Sequence, residues 1–109
     1  MANMKISLVQ QAAGDDKALN LERGLAAARE AAASGAQVIC FAELAFEPFY
    51  PQHPAKPGFE SLAEPIPGPV THRFSELAAE LGVVSVLNLF ERAGDKTYDS
   101  SPVIDADGQ

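Results

Sequence analysis

Tryptophan is absent from this chain of 109 residues, and cysteine occurs once, at Cys40. One thiol cannot close an internal disulfide, so a disulfide-stapled scaffold is excluded, and the usage fits a reducing compartment. Basic residues are scarce: 8 Lys and Arg against 15 Asp and Glu leave a net charge of −7. Phosphate-rich partners need a basic face, so neither nucleic acid nor an anionic membrane is an expected partner. Long apolar runs are also missing. The longest, residues 38–42, is far short of the ~20 residues of a membrane span, and the start Met1-Ala-Asn-Met lacks the apolar stretch of a signal peptide. A soluble cytoplasmic protein is the expectation. His53, His72 and the lone cysteine match no zinc-ligand spacing, so no metal site is expected, and Gly14 by itself is not a phosphate-binding loop.

Apolar residues make up 47% of the chain, which is an ordinary globular composition. The length suits one small domain with a modest core. Residues 5–10 read as a short strand. Asp15 and Asp16 stand where a helix cap is needed, and the Ala-rich segment 17–34 carries Leu21, Leu25, Ala28 and Ala32 at helical spacing. Gly35 falls at the expected helix end. Residues 36–42 form a near-continuous apolar run, the pattern of a parallel strand covered on both faces. Strand, helix, strand is a βαβ unit, so the class is α/β.

Seven of the eight prolines lie within residues 47–69, a segment too Pro-rich for regular helix and too long for a simple connector. A functional loop is expected there. Pro69 opens a second helix whose apolar stripe is Val70, Phe74, Leu77, Ala78 and Leu81, and Gly82 ends it. Residues 83–90 read as a third strand and 97–105 as a fourth, antiparallel to it across a turn at Gly94-Asp-Lys96. Asp107-Gly-Gln109 spells a turn with no strand after it, as in a chain cut short.

Ligands of open α/β sheets collect at the carboxyl ends of the strands, and Glu43 stands there, just past the buried run of the second strand. Partial drying raises a carboxyl group toward the range of a general base. The plainer alternative is an exposed strand-end glutamate. Asn88 interrupts an apolar strand and needs a partner if buried; it either faces the site or satisfies neighbouring backbone. Glu91 has a structural or surface role as its default. Cys40, three strand residues from Glu43, points to the opposite face and reads as a small core residue.

Six segments then occur in a characteristic order: Ile6-Ser-Leu-Val-Gln10, Gly35-Ala-Gln-Val-Ile-Cys-Phe-Ala-Glu-Leu44, Gly82-Val-Val84, Phe90-Glu91, Tyr98-Asp-Ser100 and Val103-Ile-Asp-Ala-Asp-Gly108. Together they resemble the N-terminal part of the nitrilase superfamily, the carbon–nitrogen hydrolases, over essentially the whole chain. The look is most similar to the amidase and N-carbamoyl-amine amidohydrolase branches. The resemblance implies part of a four-layer αββα sandwich, with residues 1–109 as the N-terminal portion of one domain. It also implies a homodimer or a higher even-numbered oligomer, and chemistry that needs no cofactor.

The implied reaction is hydrolysis of a small amide or N-carbamoyl amine by a Glu-Lys-Cys triad through a thioester. Glu43 takes the glutamate's place as general base, and the lysine and cysteine fall beyond residue 109. The family's usual proline before the glutamate is Ala42 here, and the usual Tyr-Asn-Ser carries Asp99. Phe46, Phe49 and Tyr50 follow Glu43 in the segment that often lines the family's substrate pocket. Phe46 and Tyr50 either contact substrate, Tyr50 as a donor, or plug the loop onto the sheet. Glu47 lies outside the matched motif and is expected to be dispensable. The reading from another class is a non-catalytic α/β association module in which Glu43 is vestigial.

Overall fold

The computed structural model describes residues 3–109. Four strands, β1 (Ile6–Val9), β2 (Val38–Phe41), β3 (Val84–Val86) and β6 (Val103–Ile104), form one sheet in the order β1-β2-β3-β6. The first three are parallel and β6 is antiparallel to β3. Helices α1 (Lys17–Ala33) and α2 (Pro69–Leu81) pack on the sheet and on each other. Strands β4 (Leu89–Ala93) and β5 (Lys96–Ser100) form a separate two-stranded ribbon.

Local chemistry accounts for the helix ends. Asp16 caps α1 by accepting from the Leu19 N–H at 3.1 Å. Ser34 is the C-cap of that helix, one residue earlier than expected, and Gly35 takes the left-handed turn just after it at φ +96°. In α2 the missing N–H of Pro69 costs nothing at the first position, and Gly82 takes the left-handed turn at φ +65°. Phe74, Leu77 and Ala78 are buried as the spacing predicts. In α1 the buried stripe is Asn20, Gly24, Leu25 and Ala28, with Leu21 and Ala32 only partly covered.

The two long strands expected over 83–90 and 97–105 are each broken once. Pro102 has no N–H to give a ladder, and the Asn88 side chain turns to bonds of its own. One bond, from Leu87 N–H to the Pro102 carbonyl at 3.0 Å, joins the two halves of the hairpin across the break. Beyond it the ribbon β4–β5 leaves the sheet, with Gly94 at φ +65° in its turn.

The sheet is covered on one face, where the sequence pattern predicts two. Register places Ser7, Ile39, Ser85 and Ile104 in one row, and the last three of these are buried. The next row, Leu8-Cys40-Val86-Val103, lies on the opposite face with Leu8 75% and Val103 62% exposed. Cys40 is therefore half-buried on the open face and is not a core residue. Apolar β-branched residues alternate correctly with the pleat, but the helices reach only one side.

An apolar face of this kind promotes association. The 109-residue chain expressed by itself is expected to sediment as dimers or larger species, and Leu8→Lys to reduce them. A monodisperse monomer that unfolds cooperatively would contradict this. Among the described residues no helix is long and apolar enough to cross a membrane.

Candidate active site

The turn that follows β2 carries Glu43 and is fixed from three sides. Leu44 adopts φ +49°, a left-handed conformation that is uncommon for a branched residue and clusters at functional sites. Its N–H donates to Asn88 Oδ1 at 2.9 Å. Phe46, two residues on, is 1% exposed and sits against Phe41 and Phe74, with ring centroids 5.2 and 5.4 Å away. Gly24 of α1 permits this fit, since a methyl group there would stand 2.4 Å from the Phe46 ring. Asn20, also buried, donates to the Phe46 carbonyl at 3.0 Å and exchanges two bonds with Gly14. The buried end of α1 thus anchors the turn.

Glu43 itself is exposed, so the partly dry setting read from its position after a buried strand does not hold. Its carboxyl is nonetheless held above the ordinary carboxylate range. The first cause is a hydrogen bond with Asp99 on β5, followed by the charge of Asp99 and a small effect of burial. Asp99 in turn accepts from Asn88 Nδ2 at 2.6 Å. The second proton of the Asn88 amide goes to Ser101 Oγ at 3.1 Å. Asn88 is thus committed to the turn, to Asp99 and to Ser101, and so orders the turn that carries Glu43.

Beside this pair lies a cleft of about 620 Å³ lined by Tyr50, Phe59, Leu62, Phe90, Tyr98 and Asp99, among others. Phe59 stacks on Phe90 and Tyr50 tilts against it, so the walls are largely aromatic. The Pro-rich loop supplies one wall through two short 3-10 turns, Tyr50–Gln52 and Phe59–Leu62.

A second cluster holds the loop in place. Lys17 Nζ at the start of α1 lies 2.5 Å from Glu47 and 3.0 Å from Glu64. Glu64 is buried, accepts from the Val70 N–H at 3.2 Å, and bridges to β4 through its backbone. Burial alone would lower the Lys17 pKa, but the hydrogen bonds and charges of Glu47 and Glu64 outweigh it and leave it raised. Tyr50 donates its hydroxyl to Glu47, and burial together with that bond pushes its ionisation far up.

Several expectations change on this geometry. Phe46 is a core residue and lines no pocket. Tyr50 contributes its ring to the cleft, but its hydroxyl is spent on Glu47. Glu47, outside the matched motif, is part of an ion-paired cluster with Lys17 and Glu64. Glu91 lies within β4 and accepts from Ser100 Oγ at 2.7 Å, a structural role. His53 and His72 are both exposed. Lys17 and Glu64 escape sequence reasoning because their partners are remote in the chain, and Asp99, visible only as a departure from the family pattern, gives no sign of its bond to Asn88. Asn20 had a signal: with Gly24 and Ala28 it forms a stripe of small and polar side chains at four-residue spacing. Among the described residues no group of three or more His, Cys, Asp or Glu is placed to hold a metal ion.

Comparison with known proteins supplies the remaining findings. The profile of the family described as carbon-nitrogen hydrolase matches residues 5–109. An N-carbamoylputrescine amidase of Solanum lycopersicum is 38% identical over 104 residues, covering 94% of this chain and 34% of its own length. An omega-amidase of Xenopus tropicalis is 33% identical, covering 99% of this chain and 38% of its own. The chain therefore spans just over a third of the length of these relatives. A carbon-nitrogen hydrolase crystal structure from Helicobacter pylori G27 superposes with a TM-score of 0.86 at 24% identity, over 97% of this chain and 37% of that one. The fold is that of the N-terminal part of such enzymes.

Proposed function

The chain belongs to the carbon–nitrogen hydrolase family, and from that premise we propose that residues 1–109 are the N-terminal portion of an enzyme that hydrolyses a small amide or N-carbamoyl amine, with Glu43 as its general base. The lysine and cysteine of the reaction come from sequence following residue 109. The apolar open face of the sheet is then the surface on which the second half of an αββα sandwich packs. The assembled enzyme is a homodimer or a higher even-numbered oligomer.

In the proposed reaction Glu43 takes the proton of the cysteine thiol, and the thiolate attacks the carbonyl carbon of the substrate. The lysine stabilises the negative oxygen that forms. The carbon–nitrogen bond then breaks, Glu43 returns the proton to the departing nitrogen, and a thioester remains. A water molecule gives a proton to Glu43 and cleaves the thioester, which restores the thiol and releases the acid.

The observation that carries this reading is the placement of Glu43. It stands at the carboxyl end of a central parallel strand, on a turn held by Asn88 and Phe46, beside an open cleft. Incubation of the full-length protein with linear amides and N-carbamoyl amines is expected to release ammonia or an amine. Rapid quenching followed by intact mass spectrometry is expected to reveal an acyl adduct on one cysteine. Absence of both across the panel would leave the non-catalytic association module as the reading.

A further inference from the structure

One lysine ties together both ends of the loop that walls the cleft. The Pro-rich loop leaves the turn after β2 at Glu47 and returns at Glu64. Lys17 Nζ, at the start of α1, lies 2.5 Å from the first carboxylate and 3.0 Å from the second. Both carboxylates are largely shielded from water, while the lysine is partly exposed. Each is also fixed by a bond that leads to the cleft. Glu47 accepts the hydroxyl of Tyr50, whose ring lines the cleft. Glu64 accepts the Val70 N–H of α2 at 3.2 Å, and its own N–H donates to the Phe90 carbonyl at 3.0 Å. Phe90 is the ring against which Tyr50 and Phe59 rest.

Between its two stems the loop has little else to hold it. Residues 51–62 are all exposed, and among the described residues the backbone hydrogen bonds of 50–63 run only to neighbours inside the segment. Exposed segments of this kind open locally at low free energy. Pro48, Pro51, Pro54 and Pro57 restrict the backbone, so fixing the stems fixes the course of the loop.

We propose that Lys17 is a positioning residue for substrate: by clasping Glu47 and Glu64 it holds the Pro-rich loop against β4, so that Tyr50 and Phe59 meet the apolar part of the amide or carbamoyl amine. This rests on the function proposed above. The cleft reaches Leu44, the neighbour of Glu43, so a substrate attacked beside Glu43 extends its substituent along these rings. Without the ammonium, two like charges face each other in a sheltered place, and their repulsion drives the stems apart. Arginine at 17 can bridge both carboxylates, whereas methionine, of similar reach, bridges neither.

The test uses full-length Lys17→Met, Lys17→Arg and Glu47→Ala. The last cuts one stem and leaves Lys17 paired with Glu64, so no charge is stranded. Amide hydrogen exchange read by mass spectrometry is expected to quicken several-fold within residues 48–63 in Lys17→Met and Glu47→Ala, and to stay near wild type in Lys17→Arg. KM is expected to rise several-fold for hexanamide and phenylacetamide and less for acetamide, with kcat changed less than KM. A fall in kcat alone, equal across the series, would mean a merely structural role and overturn the proposal. Unaltered exchange in 48–63 would overturn it too. Should Lys17→Met fail to fold, Glu47→Ala decides by the same two measurements. If wild type turns over no amide or carbamoyl amine, the functional reading fails by itself, and the exchange rates still decide whether Lys17 clasps the loop.

Discussion

Glu43→Gln in the full-length enzyme is expected to lower kcat by about 100- to 10,000-fold, the usual worth of a positioned general base. Glutamine matches glutamate in size, and the turn is anchored by Asn88 and Phe46, so it remains in place. Circular dichroism and thermal unfolding should be close to wild type. KM should change much less than kcat, because the lost group handles protons rather than gripping substrate. The control is Glu76→Gln, on the exposed side of α2 away from the cleft. Glu47 cannot serve that purpose, since it pairs with Lys17 and receives the Tyr50 hydroxyl. Near wild-type turnover in Glu43→Gln would reduce Glu43 to an ordinary strand-end carboxylate.

Phe46→Ala is expected to cost about 3–5 kcal/mol of unfolding free energy, measured by urea denaturation of the full-length protein. The ring fills the space among Phe41, Phe74 and Gly24, and its removal leaves a cavity that the rigid strand and two helices cannot close. Phe46→Leu should recover much of the loss by refilling part of that volume. Because Phe46 anchors the turn that carries Glu43, the alanine variant should also lose activity through kcat. Unchanged stability with a raised KM would instead place Phe46 in the substrate pocket, against its burial.

These two residues illustrate what is readable in a sequence of this kind. The βαβ order, both helices and the position of Glu43 after β2 were legible because they depend on neighbours in the chain. Asp16 caps from one residue before its helix, Pro69 and Gly82 bracket theirs, and the apolar periods of 17–33 and 69–81 are set within a few turns. The six ordered segments carried the family for the same reason: each is a contiguous stretch of residues.

The role of Phe46 was not legible, because an aromatic residue after a strand fits a core or a pocket equally well. Its burial follows from Gly24, which lies on a different element. The same holds for the breaks that separate β3 from β4 and β5 from β6. Asn88 and Pro102 are visible as irregularities, but only the packing of the ribbon against the loop, through Glu64, shows where the hairpin goes.

By itself, the sequence determined both helices, the first two strands, the class and the candidate base, since backbone preference and hydrophobic period act over short distances along the chain. Tertiary structure alone decided the environment of that base. Glu43 proved exposed, and its acidity is governed by Asp99, a residue brought to it from another layer by a hairpin that crosses out of the sheet. Electrostatic coupling depends on distance through space, and chain folding sets that distance independently of separation in sequence.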